Sequence, residues 1–439
     1  MSETDSSPPV SRRSWISLAA VLVVQAQNAF NDNFVKFVLM GLAMSVAAGS
    51  PIGENIEFIL AALIPLPFIL LAPVAGFVSD RFSKKDVIWF CLLLQLMLFI
   101  LIGAAIVVRS VEVAVFGYFL LAVQSTLFSP AKQGILKEIV GSKKLGFANG
   151  LMSMLTMVGI LGGMWLAGQW FDHLLEKYNT LNGESPENGW KAALLPVVGA
   201  GVACIVALAI GKIIVKTPHH PQETFSRGIW IRHFKHLRYL FSHKALRNTA
   251  LLITGYWLIA NFLGLNFVQF AKEIFPDASR AGRMTATATM LFWVGGGLMI
   301  GSSLVSMLSR NRIRLALAPM GGVAMSIGLL GVGLFETASL WWNLSLGFIG
   351  FASGFYVVPL NAWLQDIAEE AHRARVISAL NLMTSFSGIV AIGIGFLLKM
   401  AGLTASQQVL CFTPLLVIAA FLLPRLVKAE DHPSFSSAE

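Results

Sequence analysis

Charged residues are scarce in this 439-residue chain: Asp, Glu, Lys and Arg make up only 13% of it, whereas hydrophobic residues make up 56%. A water-soluble protein of this length could not bury so much apolar surface, and this excludes a soluble enzyme or binding domain. The mean hydropathy of +0.72 and the repeated apolar runs of about 20 residues indicate a polytopic membrane protein instead.

Cysteine is also scarce, and the sequence lacks the common motifs of catalysis. Cys91, Cys204 and Cys411 lie in apolar runs without CxxC spacing, so neither a disulfide framework nor a metal site is predicted. A P-loop or dinucleotide fingerprint is missing, so no nucleotide cofactor is expected. None of the eight histidines has an aspartate five residues later, as a membrane acyltransferase would require. The chain is therefore predicted not to be an enzyme and to need no cofactor.

Apolar windows predict the fold class: an all-α polytopic membrane protein with twelve transmembrane helices. The first apolar run is about twice as long as the core of a signal peptide, so it is interpreted as an uncleaved span. The predicted spans lie near residues 17–45, 57–79, 86–108, 113–136, 146–170, 191–212, 248–271, 285–308, 315–335, 340–362, 376–399 and 405–427.

The cations are distributed asymmetrically between these spans. If both termini are cytoplasmic, the inner segments hold 24 Lys and Arg residues, the outer segments hold seven, and Lys36 lies within the membrane. Such an excess fixes the orientation by the positive-inside rule. It also explains the formal net charge of +9 as topology, so nucleic acid is not expected as a partner.

An internal repeat relates the two parts of the chain. The segment PAKQGILKEI from Pro130 matches PLNAWLQDI from Pro359, and ANGLMSM matches LNLMTS at a similar offset of about 230 residues. The repeat predicts an N-terminal six-helix half, residues 1–212, and a C-terminal six-helix half, residues 248–439. Parallel repeats of this kind commonly rock around a cavity near the middle of the membrane.

The connection between the halves, residues 213–247, is predicted to be a cytoplasmic linker with a basic amphipathic helix. Its apolar residues recur every three or four positions among Lys and Arg, as in helices that lie on an anionic membrane surface. Those apolar positions are Ile231, Phe234, Leu237 and Phe241, and the interleaved cations are Arg232, Lys235, Arg238 and Lys244. A plain surface linker is an equally good interpretation.

The loop after the second predicted span, GFVSDRFSKKDV, resembles the G-x-x-x-D-R-x-G-[RK]-[RK] signature of the major facilitator superfamily. Ser83 stands where that signature has its second glycine. In that family the charged residues form a cytoplasmic latch that opens and closes as the halves move. The resemblance implies a conformational latch made by Gly76, Asp80, Arg81, Lys84 and Lys85.

A narrower resemblance is carried by the blocks LFSPAKQGILKE, GFYVVPLNAWLQ and ANGLM and by the opening F-N-D-N. Together they resemble the bacterial lysophospholipid transporter family, over essentially all twelve helices. The resemblance implies a flippase that moves lysophospholipids from the outer to the inner leaflet of the bacterial inner membrane. It also implies membrane lipids as partners and a functional link to a lysophospholipid acyltransferase and acyl-carrier synthetase, while the cation distribution predicts both termini in the cytoplasm.

A monomer is expected because two halves enclose one cavity. The alternative is a proton-coupled exporter of drugs or small amphipathic solutes.

Asp32 and Lys36 are charges within the first predicted span, where each costs about 2.5–3.5 kcal/mol to insert and is usually retained for function. At i and i+4 they share one face of the helix, so Lys36 can neutralise Asp32. Three interpretations stay open: a structural ion pair, a substrate-cavity role for Asp32 with Asn31 and Asn33, or a proton-coupling carboxylate.

Lys132 is the phosphate partner that the S-P-A-K block implies, although a cation at the inner end of the fourth span is an equally good interpretation. The repeat pairs Lys132 with Asn361. The predicted substrate-binding residues are therefore Asn31, Asp32, Asn33, Lys36, Lys132 and Asn361.

Overall fold

A computed structural model of the chain describes residues 11–47, 49–217, 237–276, 282–308, 314–368 and 373–427. The regular secondary structure in this part of the chain is entirely α-helical, which confirms the predicted fold class. The helices are α1 (Arg12–Val46), α2 (Pro51–Leu63), α3 (Pro65–Arg81), α4 (Lys84–Val107), α5 (Val111–Asn182), α6 (Pro186–Gly211), α7 (Lys244–Ile274), α8 (Arg283–Leu308), α9 (Leu317–Leu334), α10 (Leu340–Ile367), α11 (Arg373–Met400) and α12 (Ala405–Leu426).

Eleven segments of the described chain are long and apolar enough to cross a membrane. One of them runs across α2 and the start of α3, and two lie within α5. The remaining helix, α1, contains 35 residues but includes the polar run from Gln25 to Lys36. Eleven of the predicted spans are thus confirmed by length and composition, and α1 remains the predicted twelfth.

Glycine and proline divide the longest helical segments. Gly141 interrupts α5 with a φ of 70°, a conformation that glycine adopts without a steric penalty, so α5 contains two spans. Its second part continues to Asn182, and only Gly183, Glu184 and Ser185 separate it from α6. The polar stretch 172–190 had the composition of a solvated loop, but most of it is helical.

The helices pack into two compact units. Unit 1 comprises Met1–Val46 and Leu70–Phe225, and unit 2 comprises Ala47–Ile69 and Ser226–Glu439. The segment 47–69 therefore belongs with unit 2, although it precedes most of unit 1 in the chain. Residues 218–236 of the predicted linker, including Ile231 and Phe234, lie outside the described residues. Residues 237–242 of the same linker are helical.

In unit 1, α1 packs closely on the second part of α5. A Cβ added to Gly159 would lie 2.4 Å from the carbonyl oxygen of Ala26, and one added to Gly163 would lie 2.4 Å from that of Phe30. Small residues four apart let two helix backbones approach in this way, which provides the packing that lipid alone does not drive. These two glycines therefore fix the position of α1, which carries the polar run.

In unit 2, α8 and α10 make a similar close contact from both sides. A Cβ on Gly297 would lie 2.0 Å from the carbonyl oxygen of Gly347, and one on Gly350 would lie 1.9 Å from that of Val294. Glycine is thus required on each helix where the other backbone passes. This explains the glycine-rich sequence of the eighth span as a packing feature within unit 2.

We expect Gly297→Ala to destabilise the protein, whereas Gly296→Ala should be tolerated. The methyl group at position 297 meets backbone that cannot move aside, and overpacking of this kind costs about 1–3 kcal/mol. At position 296 an added Cβ would have no described atom within 4 Å beyond its chain neighbours and its own helix backbone. Thermal unfolding of the two purified variants in the same detergent measures the difference. Equal melting temperatures would contradict the close packing of α8 on α10.

Candidate functional site

Asn28 is the centre of a buried polar network in unit 1. Its side-chain oxygen accepts hydrogen bonds from Gln95 Nε2 at 3.1 Å and from Gln124 Nε2 at 3.3 Å. Its Nδ2 donates to Asp32 Oδ2 at 3.1 Å and lies 3.4 Å from Ser125 Oγ. Asn28, Gln95 and Gln124 are each at most 3% exposed. The network therefore joins α1, α4 and α5 through one amide.

The carboxylate of Asp32 is satisfied on one oxygen only. Oδ2 accepts from Asn28 Nδ2 and from Ser125 Oγ, the latter at 2.5 Å. Oδ1 is buried and has no hydrogen-bond partner among the described residues. A buried acceptor without a donor is costly, and in native proteins it usually has a functional explanation. Asp32 Oδ1 is therefore an unused acceptor within the described part of the network.

A second branch of the network reaches α6 through Cys204. The thiol sulfur lies 3.1 Å from Asn31 Nδ2, 3.7 Å from Gln27 Nε2 and 3.5 Å from Gln95 Oε1. Asn31 also donates to the carbonyl oxygen of Ala200 at 3.2 Å. Gln95 belongs to both branches, so Asn31 and Asp32 are parts of one network although they point towards different helices.

Lys132, unlike Lys36, lies close enough to Asp32 for their charges to interact. The Lys132 ammonium group also lies 5.6 Å from the centre of the Phe128 ring. Among the described residues, neither Lys132 nor Lys36 forms an ion pair with Asp32. The prediction of an i,i+4 neutralising pair is therefore wrong: the partners of Asp32 come from α5 and from Asn28, one turn earlier on α1.

The remaining predicted binding residues are not in the network. Asn33 donates to the carbonyl oxygen of Ala29 on its own helix at 2.9 Å. Asn361 donates to the carbonyl oxygen of Val357 at 3.0 Å, again on its own helix, and it lies in unit 2. The structure places Asn31 and Asp32 in one network with the charge of Lys132 nearby, and a substrate-binding role for all six residues remains a prediction.

The predicted latch segment includes a contact that the motif did not indicate. Lys84 forms an ion pair with Glu138 of α5, and its backbone N–H donates to Thr217 Oγ1 at 2.9 Å. Ser83, the departure from the family signature, lies 3.3 Å from the same hydroxyl oxygen. The Arg81 guanidinium lies over the rings of Phe77 and Phe82, at 5.7 and 5.9 Å. The Asp80 side chain lies outside what the structure describes, so its role as the latch anion stays a prediction, as do those of Gly76 and Lys85.

Sequence reasoning missed most of the network. Asn28, Gln95, Gln124, Ser125 and Cys204 were not predicted as site residues. A signal existed for the two glutamines, because each is a polar residue isolated within an apolar run, in FCLLLQLMLF and LLAVQSTLFS. Polar side chains within spans are costly and usually face the interior of a helix bundle. That argument, applied to Asp32, would have identified Gln95 and Gln124 as well.

The network leaves several acceptor oxygens unsatisfied. They are Asp32 Oδ1 and the side-chain oxygens of Gln27 and Asn31, all buried without partners among the described residues. Such oxygens accept hydrogen bonds from N–H or O–H donors. Groups of His, Cys, Asp or Glu that could hold a metal ion do not occur among the residues described.

A polar network enclosed by membrane-spanning helices is typical of a membrane transporter. Comparison with known families agrees with this class: the model of the Major Facilitator Superfamily matches residues 16–392. The chain belongs to that superfamily, as its loop signature predicted, and it is a multi-pass membrane transporter rather than an enzyme.

Among curated proteins, the chain is similar to lysophospholipid transporters named LplT, which confirms the narrower resemblance. It is 28% identical to the protein from Salmonella arizonae over 412 residues, covering 92% of this chain and 93% of that protein. It is 29% identical to the one from Escherichia coli O1:K1 / APEC over 396 residues, covering 88% and 89%.

Two solved structures show the same fold. One is a bacterial homologue of the human lysosomal transporter Spinster in an inward-facing, unoccupied conformation, with a TM-score of 0.69 and 14% identity over 96% of this chain and 99% of that one. The other is a point mutant of the nucleoside transporter NupG, with a TM-score of 0.67 and 16% identity over 94% of this chain and 100% of that one. These likenesses concern the fold alone.

Proposed function

We propose that this transporter is a lysophospholipid flippase that moves its substrate from the outer to the inner leaflet by alternating access. The observation that carries the proposal is the polar network of unit 1, in which an incompletely satisfied carboxylate and a nearby lysine are enclosed by apolar helices. The similarity to LplT proteins over about nine-tenths of the chain supports the same substrate class.

The network offers complementary groups to a zwitterionic lipid headgroup. Asp32 Oδ1 is an acceptor for an ammonium or hydroxyl donor, and Lys132 is a cation for the phosphate. A lysine binds phosphate as a point charge, and a hydrogen bond to a charged group is stronger than one between neutral groups. Headgroup binding by Asp32, Asn31 and Lys132 therefore explains why these polar groups are kept within an apolar unit.

The remaining parts of the proposal concern the cellular setting. The cation asymmetry supports cytoplasmic termini, and the bacterial relatives support placement in the inner membrane. Lysophospholipid delivered to the inner leaflet would be a substrate for reacylation, so a lysophospholipid acyltransferase and acyl-carrier synthetase are the proposed functional partners. A monomer suffices for one cavity.

Reconstitution tests the function directly. We expect vesicles that contain the purified protein to move labelled lysophosphatidylethanolamine between leaflets faster than empty vesicles. Diacyl phosphatidylethanolamine with the same label serves as the matched control for chain number. Equal rates in loaded and empty vesicles would contradict the proposal.

The same vesicles test proton coupling. If Asp32 exchanges a proton during transport, an imposed pH gradient changes the initial flipping rate, and reversing the gradient reverses the change. A rate that ignores the gradient excludes the antiport interpretation and leaves Asp32 as a headgroup ligand.

A further inference from the structure

A buried ion cluster in unit 2 joins α2 to two other helices. The side chain of Glu57 in α2 has 0% of its surface exposed. Its two carboxylate oxygens lie 2.9 and 3.0 Å from Lys272 Nζ, and Gln269 Nε2 donates to one of them at 2.7 Å. Lys399 Nζ lies 3.8 Å from the same carboxylate. Because Gln269 and Lys272 belong to α7 and Lys399 lies in the last turn of α11, three helices meet at one carboxylate.

The backbone of α2 takes part in the cluster. Asn55 departs from helical geometry, with φ −125° and ψ 15°. Directly before it, the carbonyl oxygen of Glu54 accepts from Lys272 Nζ at 3.0 Å and from Lys399 Nζ at 2.6 Å. Asn55 Oδ1 accepts from Lys399 at 3.0 Å. The distorted turn thus presents its polar groups to the two lysines.

The cluster is closed rather than open to an anionic ligand. An ammonium group has three donors. Lys272 uses them on Glu54 O and on both oxygens of Glu57. Lys399 contacts Glu54 O, Asn55 Oδ1 and, more distantly, Glu57, and its ammonium lies 5.5 Å from the centre of the Phe58 ring. Since both cations are saturated, a phosphate could bind only if α2 first departed, so the cluster acts on α2 itself.

The chain next to α2 has the properties of a hinge. α2 ends at Leu63 and α3 begins at Pro65, and Pro65 and Pro67 cannot donate the backbone hydrogen bonds that would continue one helix through this point. The boundary between the two units follows shortly after, between Ile69 and Leu70. α2 is therefore a short helix that packs within unit 2 through its side chains and is followed by backbone that lacks two helical hydrogen-bond donors.

We propose that α2 is a gate segment and that the Glu57–Lys272–Lys399 cluster is the lock that docks it on α7 and α11, released and re-formed in each transport cycle. Buried charge clusters suit this use because they are stable when complete and strongly unfavourable when one member is removed, which gives two discrete states. The proposed lock requires only that the protein is a transporter, and it does not depend on lysophospholipid being the substrate.

Hydrogen exchange of the purified protein tests the lock without any substrate. We expect Glu57→Gln to speed amide exchange across residues 51–63 by about tenfold or more, because α2 undocks more often. The double variant Glu57→Lys with Lys272→Glu restores the attraction and should return exchange towards the wild-type rate. Glu187→Gln is the matched control, since it breaks an exposed ion pair with Arg109 and should leave 51–63 unchanged. Exchange in Glu57→Gln within about twofold of wild type would overturn the lock.

Cross-linking tests whether α2 must move. The rings of Phe58 in α2 and Phe396 in α11 are in edge contact, with centroids 5.8 Å apart. Cysteines at both positions, in a Cys411→Ser background, can be joined by a short reducible thiol cross-linker. We expect cross-linking to stop lysophosphatidylethanolamine flipping and reduction of the cross-link to restore it. If the cross-linked protein flips the lipid as fast as the protein without the cross-link, α2 is not a gate segment. If the unjoined protein does not flip this lipid, the substrate proposal fails, and the exchange measurement still decides the lock.

Discussion

Asp32→Asn should lower the initial rate of lysophosphatidylethanolamine flipping about tenfold to a hundredfold. The substitution keeps the shape of the side chain but removes the charge that Asn28 and Ser125 bind and that interacts with Lys132. It also weakens Oδ1 as an acceptor for a headgroup donor. Hydrogen bonds to charged groups contribute about 1.5–3 kcal/mol, which corresponds to that range of rate or affinity.

The control for this prediction is Thr126→Val. Thr126 follows Ser125 in α5 and is buried. Its hydroxyl group donates to the carbonyl oxygen of Ala122 on its own helix, at 2.8 Å. This variant should transport at close to the wild-type rate at equal protein abundance in the vesicles. Normal flipping by Asp32→Asn would remove Asp32 from the binding site.

Lys132→Gln should have the second large effect. We expect the flipping rate to fall about tenfold or more, because the substrate phosphate loses the ammonium group that binds it. Lys132→Arg, which keeps the charge, should retain more of the rate. Lys191→Gln removes the same charge from an exposed position at the start of α6 and should be neutral. The measurement is flipping as a function of substrate concentration, and we expect the half-saturating concentration to rise.

A double variant separates two roles of Lys132. If the lysine only neutralises Asp32, then Lys132→Gln combined with Asp32→Asn should flip no more slowly than Asp32→Asn alone, because no uncompensated charge remains. If it binds the substrate phosphate, the double variant should flip more slowly than either single variant. A double variant as fast as Asp32→Asn would therefore contradict the headgroup assignment of Lys132.

The fold was largely predictable because membrane spans have a strong sequence signal. The span predicted at 86–108 is observed as Lys84–Val107, and that predicted at 405–427 as Ala405–Leu426. The stretch between the spans predicted at 146–170 and 191–212 is mostly helical, because polar composition indicates solvent exposure and not the absence of helix. Its residues up to Asn182 continue α5, and Gly183, with a φ of 76°, marks the true end.

The site was predicted only in part, for a physical reason. Spacing along one helix shows which residues share a face, so it placed Asp32 beside Lys36. It does not show that Ser125 on the neighbouring helix α5 supplies a partner, or that Asn28, four residues earlier on α1, is preferred to Lys36. Lys132 was found through a motif resemblance, and Gln95 and Gln124 had a signal as isolated polar residues in apolar runs, whereas Cys204 required knowledge of how α6 packs on α1.

The Glu57 cluster could not be predicted for the same reason. Lys272 and Lys399 had the positions of ordinary loop cations at the ends of spans, and Glu57 stood at the predicted edge of another span. They are 215 and 342 residues from Glu57 in sequence, respectively, and only the tertiary fold brings them together. The conservative inference from each residue alone was solvent exposure.

The central claim is that the network around Asp32 binds the lipid headgroup, and site mapping with a photoreactive lysophospholipid tests it most directly. A probe with the reactive group on the headgroup is bound to the purified protein, illuminated, and located by mass spectrometry, with unlabelled lysophosphatidylethanolamine as competitor. We predict competable labelling in α1 near Asn28 to Asp32 and in α5 near Ser125 to Lys132, reduced in Asp32→Asn. Labelling that falls elsewhere, or that the competitor does not diminish, would contradict the account.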